Sequence, residues 1–252
     1  MIPVKIVYPL PCENIEAKEI FWPFAKRFVE TYLEHQPGHP HTVIVVINGP
    51  ELTQDIDDLF SPLPVEYKLY QGNGMDLGSQ QLVAEDGDHF QVNMTSRMYF
   101  HREGWLRKLA QARDIYGPGL YGMTASHEGG KFHICTRGHC YDSKDFREYP
   151  HKITSRDQGV FFECGDGCLT DWYKSRSQPM IVVEWGDIYG EGFCNHCGER
   201  NSVNFQDYFV GTDGFRNGDQ RNVLCFDKHT DAFRDADTEE KKRLTDLWRG
   251  SW

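Results

Sequence analysis

Two β-branched runs that bracket an amphipathic segment constrain this chain more than any other feature in it. Val4 to Tyr8 reads VKIVY and Thr42 to Ile47 reads TVIVVI. The second run is apolar along almost its whole length, as expected of a strand covered on both faces in a parallel sheet. Between them, from Ile15 to His35, the residues Ile20, Phe21, Phe24, Phe28, Tyr32 and Leu33 recur at helical spacing, with Pro37-Gly38 beyond the end. Strand, helix, strand is the opening of an α/β sheet. Pro9 and Pro11 cannot continue a central ladder, so the first strand is expected to close there. The second stops at Asn48-Gly49-Pro50.

The pattern continues with a short strand, Glu66 to Tyr70, entering the glycine-rich loop Gln71-Gly72-Asn73-Gly74-Met75-Asp76-Leu77-Gly78 and then a helix through Ala84. A strand over Phe90 to Asn93 and a helix over Glu103 to Ala112 follow. Past Gly117-Pro118-Gly119 the chain turns irregular and rich in Gly, His, Cys and aromatics, until Met180 to Trp185 reads as a strand again. Val223 to Phe226 and a charged helix near Thr238 to Trp248 end the pattern. There is no internal repeat or low-complexity linker, so residues 1–252 read as one domain, with a change of character near residue 115.

The formal net charge of -11 argues against a surface that wraps nucleic acid, which needs clustered Lys and Arg, but leaves room for a local basic pocket. No apolar run is long enough for a signal h-region or a membrane span, which gives a cytoplasmic expectation. Ligands of open α/β sheets sit at the carboxyl ends of strands, where glycine allows close approach and positive φ. Asn48-Gly49 and the loop from Asn73 to Gly78 occupy such ends.

Four stretches together resemble the GT-A glycosyltransferases, especially a small family-2-like subgroup, over roughly residues 4 to 235. Asn48-Gly49 is similar to that family's strand-end turn beside the donor base and ribose, and Asn73 to Gly78 resembles the next nucleotide loop. FQVNMTSRMYFHREGWL, Phe90 to Leu106, resembles the segment that carries an Asp-x-Asp metal motif. Anchored on Trp105, the motif falls on Thr95-Ser96-Arg97, so both carboxylates are missing. A chain without them should hold Mg²⁺ or Mn²⁺ poorly, while Arg97 offers a bidentate cation to the diphosphate. RDQGVFFECGDGCLTDW, Arg156 to Trp172, resembles the acceptor-side segment, with Glu163 and Asp166 both open as the base. The apolar Val160-Phe161-Phe162 beside Glu163 is expected to raise its pKa toward neutrality. The stretch from Asn217 to Asp231 resembles the subgroup's C-terminal loop, in which His229 either meets donor phosphate or caps the following helix.

The resemblance implies a Rossmann-like GT-A fold with a mostly parallel central sheet. It also implies transfer of a sugar from a nucleotide-sugar donor to a glycan or small-molecule acceptor, with inversion. The expected donor-side residues are Pro9, Asn48, Gly49, Asn73, Asp76, Gly78, Ser96, Arg97, His133, Arg156 and His229, with Arg137 as a further middle-region candidate. Its rivals are a nucleotide- or glycan-binding protein that lost catalysis and a zinc-braced interaction protein. A nucleotidyltransferase would need an acidic pair for two metals, and none stands near the first strands.

Cys194-x2-Cys197 has zinc-knuckle spacing but supplies only half of a tetrahedral shell. Cys164 with Cys168, Cys135 with Cys140, or His133, His139 and His196 are open partners for a structural Zn²⁺. Buried free thiols or an adventitious disulfide are the alternatives.

Overall fold

The computed structural model describes residues 2–126, 133–185 and 223–249. Cys194, Cys197, His196 and the stretch from Asn217 to Asn222 lie outside the described residues, so the zinc-knuckle expectation does too. The first half alternates β1 (Val4–Pro11), α1 (Ile15–Glu34), β2 (Thr42–Asn48), α2 (Gln54–Phe60), β3 (Val65–Leu69), α3 (Met75–Ala84) and β4 (Phe90–Asn93). Then come β5 (Tyr99–Phe100), α4 (Trp105–Tyr116), β6 (Leu120–Gly122), β7 (Ala125–Ser126), β8 (His133–Ile134) and β9 (His139–Asp142). The remaining elements are α5 (Ser143–Glu148), α6 (Arg156–Cys164), α7 (Leu169–Ser175), β10 (Met180–Val182), β11 (Cys225–Phe226), α8 (Lys228–Asp235) and α9 (Thr238–Arg249).

Seven strands form one sheet in the order β10-β6-β9-β4-β1-β2-β3. β9 runs antiparallel to both its neighbours, and every other pairing in this sheet is parallel. The mostly parallel α/β sheet expected from the sequence is therefore present. Val43 to Ile47 are buried throughout, the burial that their apolar run demanded. No described helix is long and apolar enough to cross a membrane.

β1 does not stop before its prolines. Its ladder to β4 ends at the pair Val7↔Asn93, whereas its ladder to β2 runs on to Pro11↔Asn48. Beyond Val7 the strand has a neighbour on one side only, and a missing N–H is tolerated at such a sheet margin. Those extra residues carry β1 to the sheet edge where the other parallel strands end.

The main core gathers Tyr8, Phe28, Phe60, Phe100 and Trp105 with residues as late as Ile181 and Leu224, on both sides of residue 115. Phe100 stacks on Trp105 with ring centres 4.0 Å apart. Each such fully buried aromatic contributes on the order of 1.5–3 kcal/mol. α1 corrects the apolar reading of its sequence. It buries Ala17, Ala25, Phe28, Val29 and Tyr32, while Ile20 and Leu33 face solvent. Three short helices, α2, α5 and α6, escaped the sequence pattern because each buries too few residues to show a helical period. The strand expected to reach Trp185 ends at Val182, followed by an isolated bridge between Glu184 and Val223.

The C-terminal part is tied back to α1. Asp231 on α8 accepts from Arg27 at 3.1 Å and from the Tyr99 hydroxyl at 2.5 Å. That anchor sets the first turn of α8 beside the loop that follows β4.

Candidate functional site

Because β1, β2, β3 and β4 are parallel, their carboxyl ends open on one edge, with β2 and β4 on opposite sides of β1. This is the crevice where α/β sheets bind ligands. A cleft occupies it. Its first lobe, of about 540 Å³, lies against Pro11, Asn48, Gly49, Tyr70, Asn73 and Asp76. Its second lobe, of about 400 Å³, shares Pro11, Met75 and Asp76 with the first and extends to Arg97, Arg137, Arg156, Glu163 and Lys228.

The glycines of the loop after β3 serve close packing, with no positive φ among them. A Cβ on Gly78 would stand 1.9 Å from the Tyr70 hydroxyl oxygen, and one on Gly72 would stand 2.4 Å from it. The same oxygen accepts from the Gly74 N–H at 3.0 Å. The loop is thus folded around Tyr70, and the left-handed residue is Met75, with φ of 52°. At the neighbouring strand end, a Cβ on Gly49 would come within 2.7 Å of the Cys12 carbonyl oxygen. Asn48 is fixed by the Ser79 hydroxyl, which donates to its Oδ1 at 2.6 Å.

Thr95-Ser96-Arg97 lies one residue beyond β4, at its carboxyl end, and lines the second lobe. The Arg97 guanidinium lies 5.3 Å from the Phe21 ring centre and 5.0 Å from that of Phe24. These two α1 residues read as core in the sequence; in the fold they form a platform for a cation. The Ser96 carbonyl is held by the Tyr8 hydroxyl at 2.9 Å. Burial pushes the Asp76 carboxyl up to about 7, against the opposing pull of the Arg97 charge and a hydrogen bond from the Ser96 backbone.

Four cations, Arg97, Arg137, Arg156 and Lys228, line the second lobe among the described residues, against the two carboxylates Asp76 and Glu163. Met75, Arg156 and Lys228 are also the first residues of α3, α6 and α8, so three helix N-termini open on this cleft. A chain of net charge -11 has therefore concentrated positive potential in one place. Arg137 is held by His229, whose Nδ1 lies 2.6 Å from its Nη1, and by Asp227 at 3.5 Å. His229 thus backs an arginine, while Asp227 is the residue that caps α8, accepting from the His229 N–H at 2.7 Å.

Several expected site residues fall elsewhere. Pro9 is buried within β1 and Pro11 takes its place at the cleft; Gly78 sits behind Tyr70. Glu163 lines the cleft, at the last turn of α6, and its Oε1 accepts from the Thr136 N–H at 3.0 Å. Asp166 is exposed in the turn after α6, outside the described cleft wall. Of the apolar run beside Glu163, only Phe162 is buried; Val160 and Phe161 are exposed, so the run does not enclose the carboxylate. His133 is buried on β8, behind the cleft surface. Tyr70 and Lys228 went unnoticed in the sequence. Lys228 was findable, since it directly follows Asp227, which with Thr230 forms a capping box opening α8.

No protein-family profile and no curated protein matches this sequence. Solved structures do resemble it. S. aureus TarS 1–349 is 12% identical at a TM-score of 0.46, over 63% of this chain and 53% of that one. TarS 1–349 in complex with UDP-GlcNAc gives 12% identity and a TM-score of 0.45, over 63% of this chain and 52% of the other. HddC from Yersinia pseudotuberculosis is 13% identical at a TM-score of 0.40, over 69% and 97%. The chain thus spans about half the length of the TarS 1–349 structure.

Proposed function

We propose that this protein is a nucleotide-sugar-dependent glycosyltransferase whose donor diphosphate is held by protein cations in place of a Mg²⁺ or Mn²⁺ ion. The observation that carries this reading is the second lobe, where Arg97, Arg137, Arg156 and Lys228 meet three helix N-termini. That arrangement suits a dianionic group, and the adjoining lobe at the ends of β2 and β3 suits a nucleoside. A hard divalent cation needs several oxygen ligands. Here Arg97 stands where carboxylates would have to be; of the lobe's two carboxylates, Asp76 titrates near neutrality and Glu163 is held by the Thr136 N–H on the acceptor side. This donor set does not fit the ion, and no step requires it.

In the proposed reaction the acceptor hydroxyl oxygen attacks the anomeric carbon from the side of Glu163. The new C–O bond forms as the bond to the diphosphate oxygen breaks, and its electron pair leaves with the nucleoside diphosphate. Glu163 takes the acceptor proton, and the product is inverted. The Thr136 N–H aims the carboxylate by holding Oε1. The four cations stabilise the charge that develops on the leaving group. Asp166 is too far out on the surface to share this role.

The test is thermal unfolding against a panel of nucleoside diphosphates and nucleotide sugars, with Mn²⁺ or with EDTA, followed by assay of the stabilising donor. A ligand at ~100 times its Kd stabilises by ~2.7 kcal/mol. Stabilisation by one nucleotide family, equal with and without EDTA, is expected. Stabilisation that requires Mn²⁺ would overturn the cation-for-metal reading, and no shift across the panel would overturn the nucleotide reading itself.

A further inference from the structure

Behind the cleft wall, a histidine, a cysteine and a glutamate bring their donor atoms to one point. The ligand atoms of His133, Cys135 and Glu163 all lie within 4.8 Å of one another. The placement follows from the fold. His133 opens β8 and Cys135 follows it at i+2, so the strand period sets both on one face. Ile134 between them points the other way, into the cluster with Leu120, Phe146 and Phe162. β8 is pinned on both edges, by Cys135 N–H to the Thr124 carbonyl at 3.1 Å and by Ile134 N–H to the Thr170 hydroxyl at 3.0 Å. α6 then delivers Glu163 across the top.

We propose that His133, Cys135 and Glu163 form a binding site for a zinc-like divalent cation, and that its occupancy withdraws Glu163 from proton transfer. The consequence for transfer rests on the function proposed above; the metal site does not. One nitrogen, one sulfur and one oxygen suit a borderline-soft ion and suit Mg²⁺ or Mn²⁺ poorly. His133 and Cys135 are 3% and 0% exposed, so the site is shielded on the protein side while Glu163 closes it toward the cleft. The Thr136 N–H on Oε1 orients the carboxylate in the way that ligating carboxylates are commonly held.

A second buried histidine lies near Glu163. His139 is 1% exposed, its Nδ1 meets the Thr136 carbonyl oxygen at 2.5 Å, and its Nε2 has no hydrogen-bond partner among the described residues. The carbonyl fixes the ring proton on Nδ1, leaving a bare lone pair on Nε2 in the interior. The three donors of the site remain His133, Cys135 and Glu163. On binding, the Cys135 thiol gives up its proton to solvent and binds as thiolate.

The experiment is a Co²⁺ titration of the chelator-treated full chain, read by the thiolate-to-cobalt charge-transfer band. The expected result is a saturable band that persists in the Cys194→Ser, Cys197→Ser double variant and disappears in Cys135→Ser. Glu163→Gln, a change at the cleft wall, should weaken Co²⁺ binding about tenfold or more even if Cys135→Ser fails to fold. Zn²⁺ at saturation should suppress sugar transfer, and a chelator should restore it. A band that vanishes in the Cys194, Cys197 double variant, or that survives unchanged in a folded Cys135→Ser protein, overturns the site. Cobalt bound as expected without any transferase activity would sink the proposed function and leave the metal site standing.

Discussion

The guanidinium of Arg137 reaches Nδ1 of His229 at 2.6 Å, joining the loop after β8 to the first turn of α8. A guanidinium has no lone pair to offer, so His229 accepts on Nδ1 and carries its ring proton on Nε2. The pair aims a cation from one segment of the chain into a cleft built by another. His229→Ala should therefore raise KM for the donor about tenfold with a smaller change in kcat, by freeing Arg137. Steady-state kinetics with the donor varied give the answer. An unchanged KM would show that Arg137 needs no such support.

Arg97 should contribute most to holding the diphosphate. Losing a charge-assisted hydrogen bond costs roughly 1.5–3 kcal/mol, so Arg97→Ala should weaken nucleoside diphosphate binding by about 10- to 100-fold. Arg97→Lys should restore little, because an ammonium neither forks onto two oxygens nor stacks on Phe21 and Phe24 as a guanidinium does. Titration calorimetry compares the three proteins directly.

If Glu163 is the base, Glu163→Gln keeps its shape and its acceptor oxygen toward the Thr136 N–H but removes the proton acceptor. A loss in kcat of about 10²–10⁴-fold is expected, with donor affinity unchanged. Asp166→Asn should leave kcat within about twofold, as befits an exposed turn residue. The opposite ranking would move the base to Asp166.

Asp76, half-buried at the cleft, and the buried His139 give the stability pH signatures of opposite sign. Asp76 has a folded pKa raised to about 7 by burial, above the unfolded carboxyl near 4, so its contribution is full below pH 4 and is lost as pH rises to 7. His139 is lowered to about 4, below the unfolded value of about 6.5, so its contribution is full above pH 6.5 and is lost as pH falls to 4. Asp76→Asn should therefore be more stable than the wild type at pH 8, by about 1–3 kcal/mol once cleft water is allowed for. The difference should vanish near pH 4. Urea unfolding of both proteins across that range checks the sign.

Gly78→Ala tests the folding of the glycine-rich loop after β3. Its Cβ would lie 1.9 Å from the Tyr70 hydroxyl oxygen, and the phenol must swing away, breaking the bond from the Gly74 N–H. Nucleotide affinity should fall while the fold survives. Tyr70→Phe breaks the same bond from the Gly74 N–H while its ring carbon stays 2.5 Å from that Cβ, so the double variant should lose less than the sum of the two single losses without returning to wild type.

The sequence by itself determined the sheet's first half. Thr42 to Ile47 has no polar face, so it could only be an inner strand, and the helical period between Ile15 and His35 required a crossover helix. It also carried the strand-end residues Asn48, Gly49, Asn73 and Asp76, because in a parallel sheet chain order and strand direction place such residues on one edge. Tertiary structure decided the rest, since each of those outcomes depends on which segments meet in space. Pro9 gave way to Pro11 at the cleft because the β4 ladder ends sooner than the β2 ladder. Phe21 and Phe24 became a platform for Arg97 only once α1 lay beside the loop after β4. Lys228 joined Arg97, Arg137 and Arg156 because Asp231 ties α8 to Arg27 and Tyr99, residues more than a hundred positions away in the chain. Local pattern fixes which residues share a face of one element; the convergence of charges from four distant segments is a property of packing, and no period in the sequence encodes it.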